Sequence, residues 1–123
     1  MKLQILVPHY KETAKEIEPL LDSIAIQQSV DFSEIGVIIA YDGDEATSLP
    51  VEIWAKRYPF LIEHLYLQHG GVSATRNAAL DSATADYVMF CDADDMFCHV
   101  CGLYIIFKEI EIGFDTLVSV FIE

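Results

Sequence analysis

The chain predicts an α/β domain, a mostly parallel sheet with helices on both faces, and three observations carry the prediction. Short apolar runs alternate with segments of helical period from one end of the sequence to the other. The run Ile35-Gly-Val-Ile-Ile-Ala-Tyr41 is β-branched and apolar on both faces, as a strand covered on both sides must be. Polar clusters close the apolar runs at Pro8–Tyr10, Asp42–Asp44 and Asp92–Asp95. Ligands bind at the carboxyl ends of the strands in such sheets, so these clusters should meet on one edge.

Each element follows in order. Leu3 to Val7 is a first buried strand ended by Pro8. Thr13 to Gln28 carries Ala14, Ile17, Leu20, Leu21, Ile24 and Ala25 in a stripe of period near 3.6, the mark of a helix with one buried face. Pro19 falls inside that stripe and is expected to start the main helix after an irregular first turn. Ile35 to Tyr41 is the second strand, closed by the turn Asp42-Gly43-Asp44. Leu49 to Tyr58 reads as a helix and Phe60 to Leu67 as the third strand; His69-Gly70-Gly71 then breaks the chain. Val72 to Thr84 is a helix with Ala74, Ala78, Ala79 and Ala83 for close packing, and Asp86 to Cys91 is the fourth strand. Val100 to Ile112 is a helix ended by Gly113, and Thr116 to Ile122 is a last strand.

The densest chemistry lies in Tyr87-Val-Met-Phe-Cys-Asp92-Ala-Asp94-Asp95, an apolar segment running into three carboxylates. Carboxylates so close repel one another unless a cation or a donor-rich ligand sits between them. On an extended backbone Asp92 and Asp94 would point to the same side and face one ligand.

At 123 residues the chain has the length of one domain with a real core, and sparse Pro and Gly give no sign of disorder. The formal charge is −13, from 20 acidic residues against 7 Lys and Arg, with no basic stripe, which argues against a nucleic-acid partner. A free anionic ligand would also be repelled, so binding one calls for a divalent ion and a well-placed cation. No apolar run approaches the roughly 20 residues needed to cross a bilayer, and the N-terminus lacks a signal-peptide cleavage region, so a cytoplasmic protein is expected. Three cysteines suggest reduced thiols. Cys98-His-Val-Cys101 with Cys91 lacks the second ligand pair of a closed zinc site, and His9, His64 and His69 read as loop or surface residues.

Four segments in this order and spacing resemble family 2 glycosyltransferases: Ile5-Leu-Val-Pro-His-Tyr10, Tyr41-Asp42-Gly43-Asp44, Gly71-Val-Ser-Ala-Thr-Arg76-Asn77, and Cys91-Asp92-Ala-Asp94-Asp95. The resemblance implies the nucleotide-sugar-binding half of a GT-A fold over residues 1–123, and transfer of a sugar from a nucleotide diphosphate, UDP above all, to an unknown acceptor. It implies that Pro8 and Tyr10 line the base and ribose pocket and that Asp42 accepts from the imide N–H of a uracil-like base. Arg76, with Asn77, would reach toward a phosphate or the carboxylates. Asp92 would lie by the ribose and Asp94 on a Mn²⁺ or Mg²⁺ ion bridging the two phosphates, ions that suit hard oxygen ligands. Lys11 stands where the family usually has Asn, and Asp44, where it often has Ser, reads as a turn or helix cap. Asp95 reads as a supporting group or a cap.

The base that deprotonates the acceptor normally comes from the acceptor half, beyond the D-x-D, and the chain reaches only Glu123, a poor choice for that role. The acceptor half is therefore expected to be absent, either because the chain is part of a longer enzyme or because it is a short form that binds nucleotide and metal without transfer. In either case an exposed apolar face on the acceptor side would favour homo-oligomers. A phosphoacceptor receiver domain would need an acidic pair after the first strand, where Pro8-His9-Tyr10 stands, and a D-x-D hydrolase would carry its motif near that strand instead of after the fourth.

Overall fold

The computed structural model describes residues 1–43 and 49–113. Asp44, the expected last strand from Thr116 to Ile122, and Glu123 lie outside the described residues.

Four strands form one parallel sheet: β1 (Leu3–His9), β2 (Ile35–Asp42), β3 (Leu61–Leu67) and β4 (Tyr87–Phe90). They lie in the order β3-β2-β1-β4. β1 and β2 are central and buried at every residue, which is why their sequences carry no polar alternation. Between them run α1 (Ala14–Ala25), α2 (Val51–Arg57) and α3 (Val72–Ser82), and α4 (Gly102–Glu111) follows β4. The strand order turns back after β3, so α3 crosses over β2 and β1 in the opposite direction from α1 and α2. Right-handed crossovers then put it on the opposite face. One face packs Ile17, Leu20 and Leu21 of α1, Trp54 of α2 and Leu103 and Ile106 of α4 on the odd-numbered residues of β1 and β2. The other packs Ala79 of α3 on Leu6, Ile38 and Ala40, small residues allowing the close approach.

Several boundaries differ from the sequence reading, for identifiable reasons. β1 does not stop at Pro8 but runs to His9, in register with Tyr41 of β2. Lys2 and Leu6 carbonyls accept from Tyr87 and Cys91, so even-numbered residues of β1 face β4, and Pro8 is the next in that row. Lacking an N–H, it cannot continue that ladder, whose last pair is Leu6 with Phe90, so β1 outruns β4 and the two separate at their carboxyl ends. α1 starts at Ala14 and carries Pro19 in its interior, not at its start. Thr13 fixes that start, its N–H and hydroxyl donating to Glu16 Oε1 at 3.2 and 3.1 Å. The bond Pro19 cannot make is to Lys15, and both residues are exposed, so water can take the orphaned carbonyl. β4 spans only four residues instead of Asp86 to Cys91, and its Val88 and Phe90 are exposed. Among the described residues no helix is long and apolar enough to cross a membrane.

Candidate functional site

The strand order reverses between β1 and β4, and a cleft of about 370 Å³ opens where these strands part. The end of β1 gives it Pro8, His9 and Tyr10; β2 gives Asp42; the turn before α3 gives His69 and Gly71; α3 gives Val72 and Thr75; and the segment after β4 gives Asp92, Ala93 and Asp94. Described residues from each of the three polar clusters of the sequence thus line one cavity.

Asp42 is the best-held of these groups. Its side chain is 5% exposed, and Oδ1 accepts from the Gly70 N–H at 2.7 Å and the Gly71 N–H at 3.4 Å, with His69 Nδ1 at 3.2 Å. The Gly70 N–H, helped by Gly71 and His69 against the cost of burial, holds its carboxyl below the usual carboxylate range. Gly71 has φ +94°, a conformation that side chains rarely adopt, which explains why the break before α3 needs glycine.

At the end of β1, His9 is 3% exposed, its Nε2 2.6 Å from the Glu12 carbonyl and its ring edge-on to Tyr41 at 5.0 Å. His64 is half-buried in β3, sharing a 2.6 Å hydrogen bond with the Tyr41 hydroxyl, and burial lowers its pKa. Neither is the loop or surface residue expected: β1 runs past Pro8 and sets His9 in register with Tyr41, and β3 pairs with β2 so that His64, opposite Ile39, reaches the Tyr41 hydroxyl. His69 is on a loop, yet it lines the cleft: its ring stacks on Tyr10 at 5.0 Å and 23°. Tyr10 is 46% exposed, and the next residue, Lys11, adopts φ +67°. Asn enters that left-handed region more readily than Lys.

The carboxylates come together by a turn and not by an extended strand. β4 ends at Phe90, and the Asp95 N–H donates to the Asp92 carbonyl at 3.0 Å, folding the chain back. Single ligand oxygens of Asp92, Asp94 and Asp95 then lie within 4.8 Å of one another. Burial raises the pKa of Asp95, and Asp92 and Asp94 raise it further against a backbone hydrogen bond. Three carboxylate oxygens this close together fit a hard divalent cation. Arg76 Nη2 reaches Asp92 Oδ1 at 3.2 Å from α3, both groups being largely exposed. Cys91, behind the turn, is buried, and its thiol is pushed up to about 12 by burial and then by Asp95 and Asp92, so it stays neutral.

Sequence reasoning passed over the side chains that hold this turn in place. Ser23 Oγ accepts from the Phe97 N–H at 3.0 Å while donating to the Leu20 carbonyl at 2.7 Å. Gln27, 6% exposed, donates through Nε2 to the carbonyls of Ser23 and His99 and accepts at Oε1 from the Leu103 N–H at 2.9 Å. Gln4 in β1 likewise accepts from the N–H groups of Thr84 and Ala85 at 2.7 and 2.9 Å, fixing the approach to β4. The local signal was a polar residue inside an apolar face, which a buried position requires to be paired.

Comparison with known proteins matches residues 4–112 to the family described as glycosyl transferase family 2. A poly(ribitol-phosphate) beta-N-acetylglucosaminyltransferase, TarS of Staphylococcus aureus, is 32% identical over 96 residues, 77% of this chain and 16% of that protein. The uncharacterized glycosyltransferase YwdF of Bacillus subtilis is 33% identical over 79% of this chain and 34% of its own length. The chain therefore spans from about a sixth to a third of these relatives. Among solved structures, TarS 1-349 in complex with UDP-GlcNAc superposes with a TM-score of 0.77 at 27% identity, covering 91% of this chain and 32% of that one. A mannosyltransferase from Pyrobaculum calidifontis in complex with GDP-Man and Mn²⁺ superposes with a TM-score of 0.71 at 27% identity over 83% of this chain and 30% of that one.

Proposed function

The chain belongs to glycosyl transferase family 2, and from that premise we propose that residues 1–123 form the nucleotide-sugar-binding part of a glycosyltransferase domain that uses a UDP-linked donor. The observation that carries this reading is the single cleft joining Asp42 and Tyr10 at one end to Asp92 and Asp94 at the other. A nucleoside diphosphate needs such a span: an aromatic face and a charged acceptor for the base, and hard ligands a ribose away for the phosphates. The UDP-GlcNAc complex of the staphylococcal relative supports uridine as the nucleoside.

In this reading Tyr10 packs its ring on the base, and Pro8 walls the pocket. Asp42 stays ionised, held by the Gly70 and Gly71 N–H groups, and accepts the imide N–H of uracil. Asp92 accepts from a ribose hydroxyl, and Arg76, already paired to it, holds its orientation and adds positive charge beside the diphosphate. Asp94 holds Mn²⁺ or Mg²⁺, with Asp95 beside it. When bound, that ion supplies a Lewis acid that neutralises the leaving diphosphate as the glycosidic bond breaks. Val88 and Phe90, exposed on β4, support self-association through that face, and a clean monomer at high concentration in size-exclusion chromatography would remove that part. A cytoplasmic setting, where nucleotide sugars are made, completes the proposal, and cell fractionation placing the protein elsewhere would remove it.

Calorimetric titration with UDP, GDP and CDP, with and without Mn²⁺, tests the reading. UDP is expected to bind only with metal in the natural chain and to lose that dependence together with its affinity in Asp94→Asn. Absence of metal-dependent binding for every diphosphate would refute it.

A further inference from the structure

The imidazole of His69 makes the two contacts that the proposed function gives to the nucleobase. It stacks on Tyr10 with ring centroids 5.0 Å apart and planes 23° from parallel, and its Nδ1 lies 3.2 Å from Asp42 Oδ1. A flat ring on the tyrosine, with a ring nitrogen at the aspartate, is also the chemistry of a uracil imide in this cleft. We propose that His69 stands in the base's place in the free protein, so that nucleotide must displace the imidazole before the base can seat. This inference rests on the roles assigned above to Tyr10 and Asp42.

The surroundings permit that movement. The side chain of His69 is 63% exposed, so turning it into solvent opens no core. The turn is made about the side chain's own torsions, so Gly70 and Gly71 need not move. Asp42 does not collapse when the imidazole leaves, because the Gly70 and Gly71 N–H groups remain on it. The imidazole thus shields a desolvated carboxylate until a better donor arrives. A site whose competent form is only partly populated binds more weakly by that fraction.

The test compares UDP and inorganic pyrophosphate, each with Mg²⁺, on the natural chain and on His69→Ala. With the imidazole in place in most molecules, His69→Ala should bind UDP about three- to tenfold more tightly. Pyrophosphate, which has no base, should bind both proteins alike. In the natural chain the His69 ring-proton resonances should shift when UDP saturates the site and stay put with pyrophosphate. UDP affinity unchanged or weakened in His69→Ala, or a pyrophosphate affinity that changes equally, overturns the inference while leaving the proposed function standing. UDP binding to neither protein removes both.

Discussion

Asp42 shows how much of the site is decided by single residues. Its carboxyl is held below the ordinary range chiefly by the Gly70 N–H, so its ionised form favours the folded state. A depressed folded pKa contributes stability that is fully present above the unfolded value, near 4, and disappears as pH falls through the folded one. The gap in melting temperature between the natural chain and Asp42→Asn should therefore be widest near neutrality and close below about pH 4. UDP affinity in the variant should fall about tenfold or more, since the charged acceptor proposed for the base is lost. A gap independent of pH would show that the carboxylate is not what holds the turn. Lys11 makes the opposite case, a residue at odds with its own backbone: at φ +67° it occupies a region that Asn tolerates better. Lys11→Asn should stabilise the fold by about 0.5–1 kcal/mol in urea denaturation, and a loss of stability would mean that the Lys11 contact with Tyr10 outweighs the strain.

At the scale of elements, what the sequence makes legible is whatever repeats locally. β1 and β2 stand out because strands covered on both faces leave unbroken apolar runs, and α1 because one face alone is buried. The carboxylate motif was legible as chemistry but not as geometry, since strand alternation gives way to a turn at Phe90. Nothing local announces that Ser23 of α1 and Gln27 just after it bind a segment some seventy residues later, or that His69 meets Tyr10. Those contacts exist only once the sheet has brought distant segments together. They nevertheless hold the site: Gln27 ties the segment between the carboxylates and α4 to the end of α1. Gln27→Ala would leave the Leu103 N–H and His99 carbonyl without that partner and should cost about 2–3 kcal/mol in chemical denaturation. It should also weaken the proposed Mn²⁺ binding although it touches none of the three carboxylates. A change below about 0.5 kcal/mol would show that water replaces the amide without penalty.

For the molecule as a whole, charge and topology pull against each other. A net charge of −13 repels any nucleotide diphosphate, and the cleft itself is lined by Glu12, Asp42, Asp92 and Asp94. Topology nevertheless makes this the one crevice between β1 and β4 where the strand order reverses, and Pro8 keeps it open by ending the ladder between them. The conflict resolves if the acidic end is built to hold a cation and the ligand arrives with it, so that one cavity serves base, sugar and phosphates in turn. A crystal structure of the chain with UDP and Mn²⁺ tests this most directly. The uracil is expected against Tyr10 with its imide on Asp42, His69 turned outward, and the ion between Asp94 and the diphosphate. Nucleotide bound away from this cleft, or an ion ligated without Asp94, would contradict it.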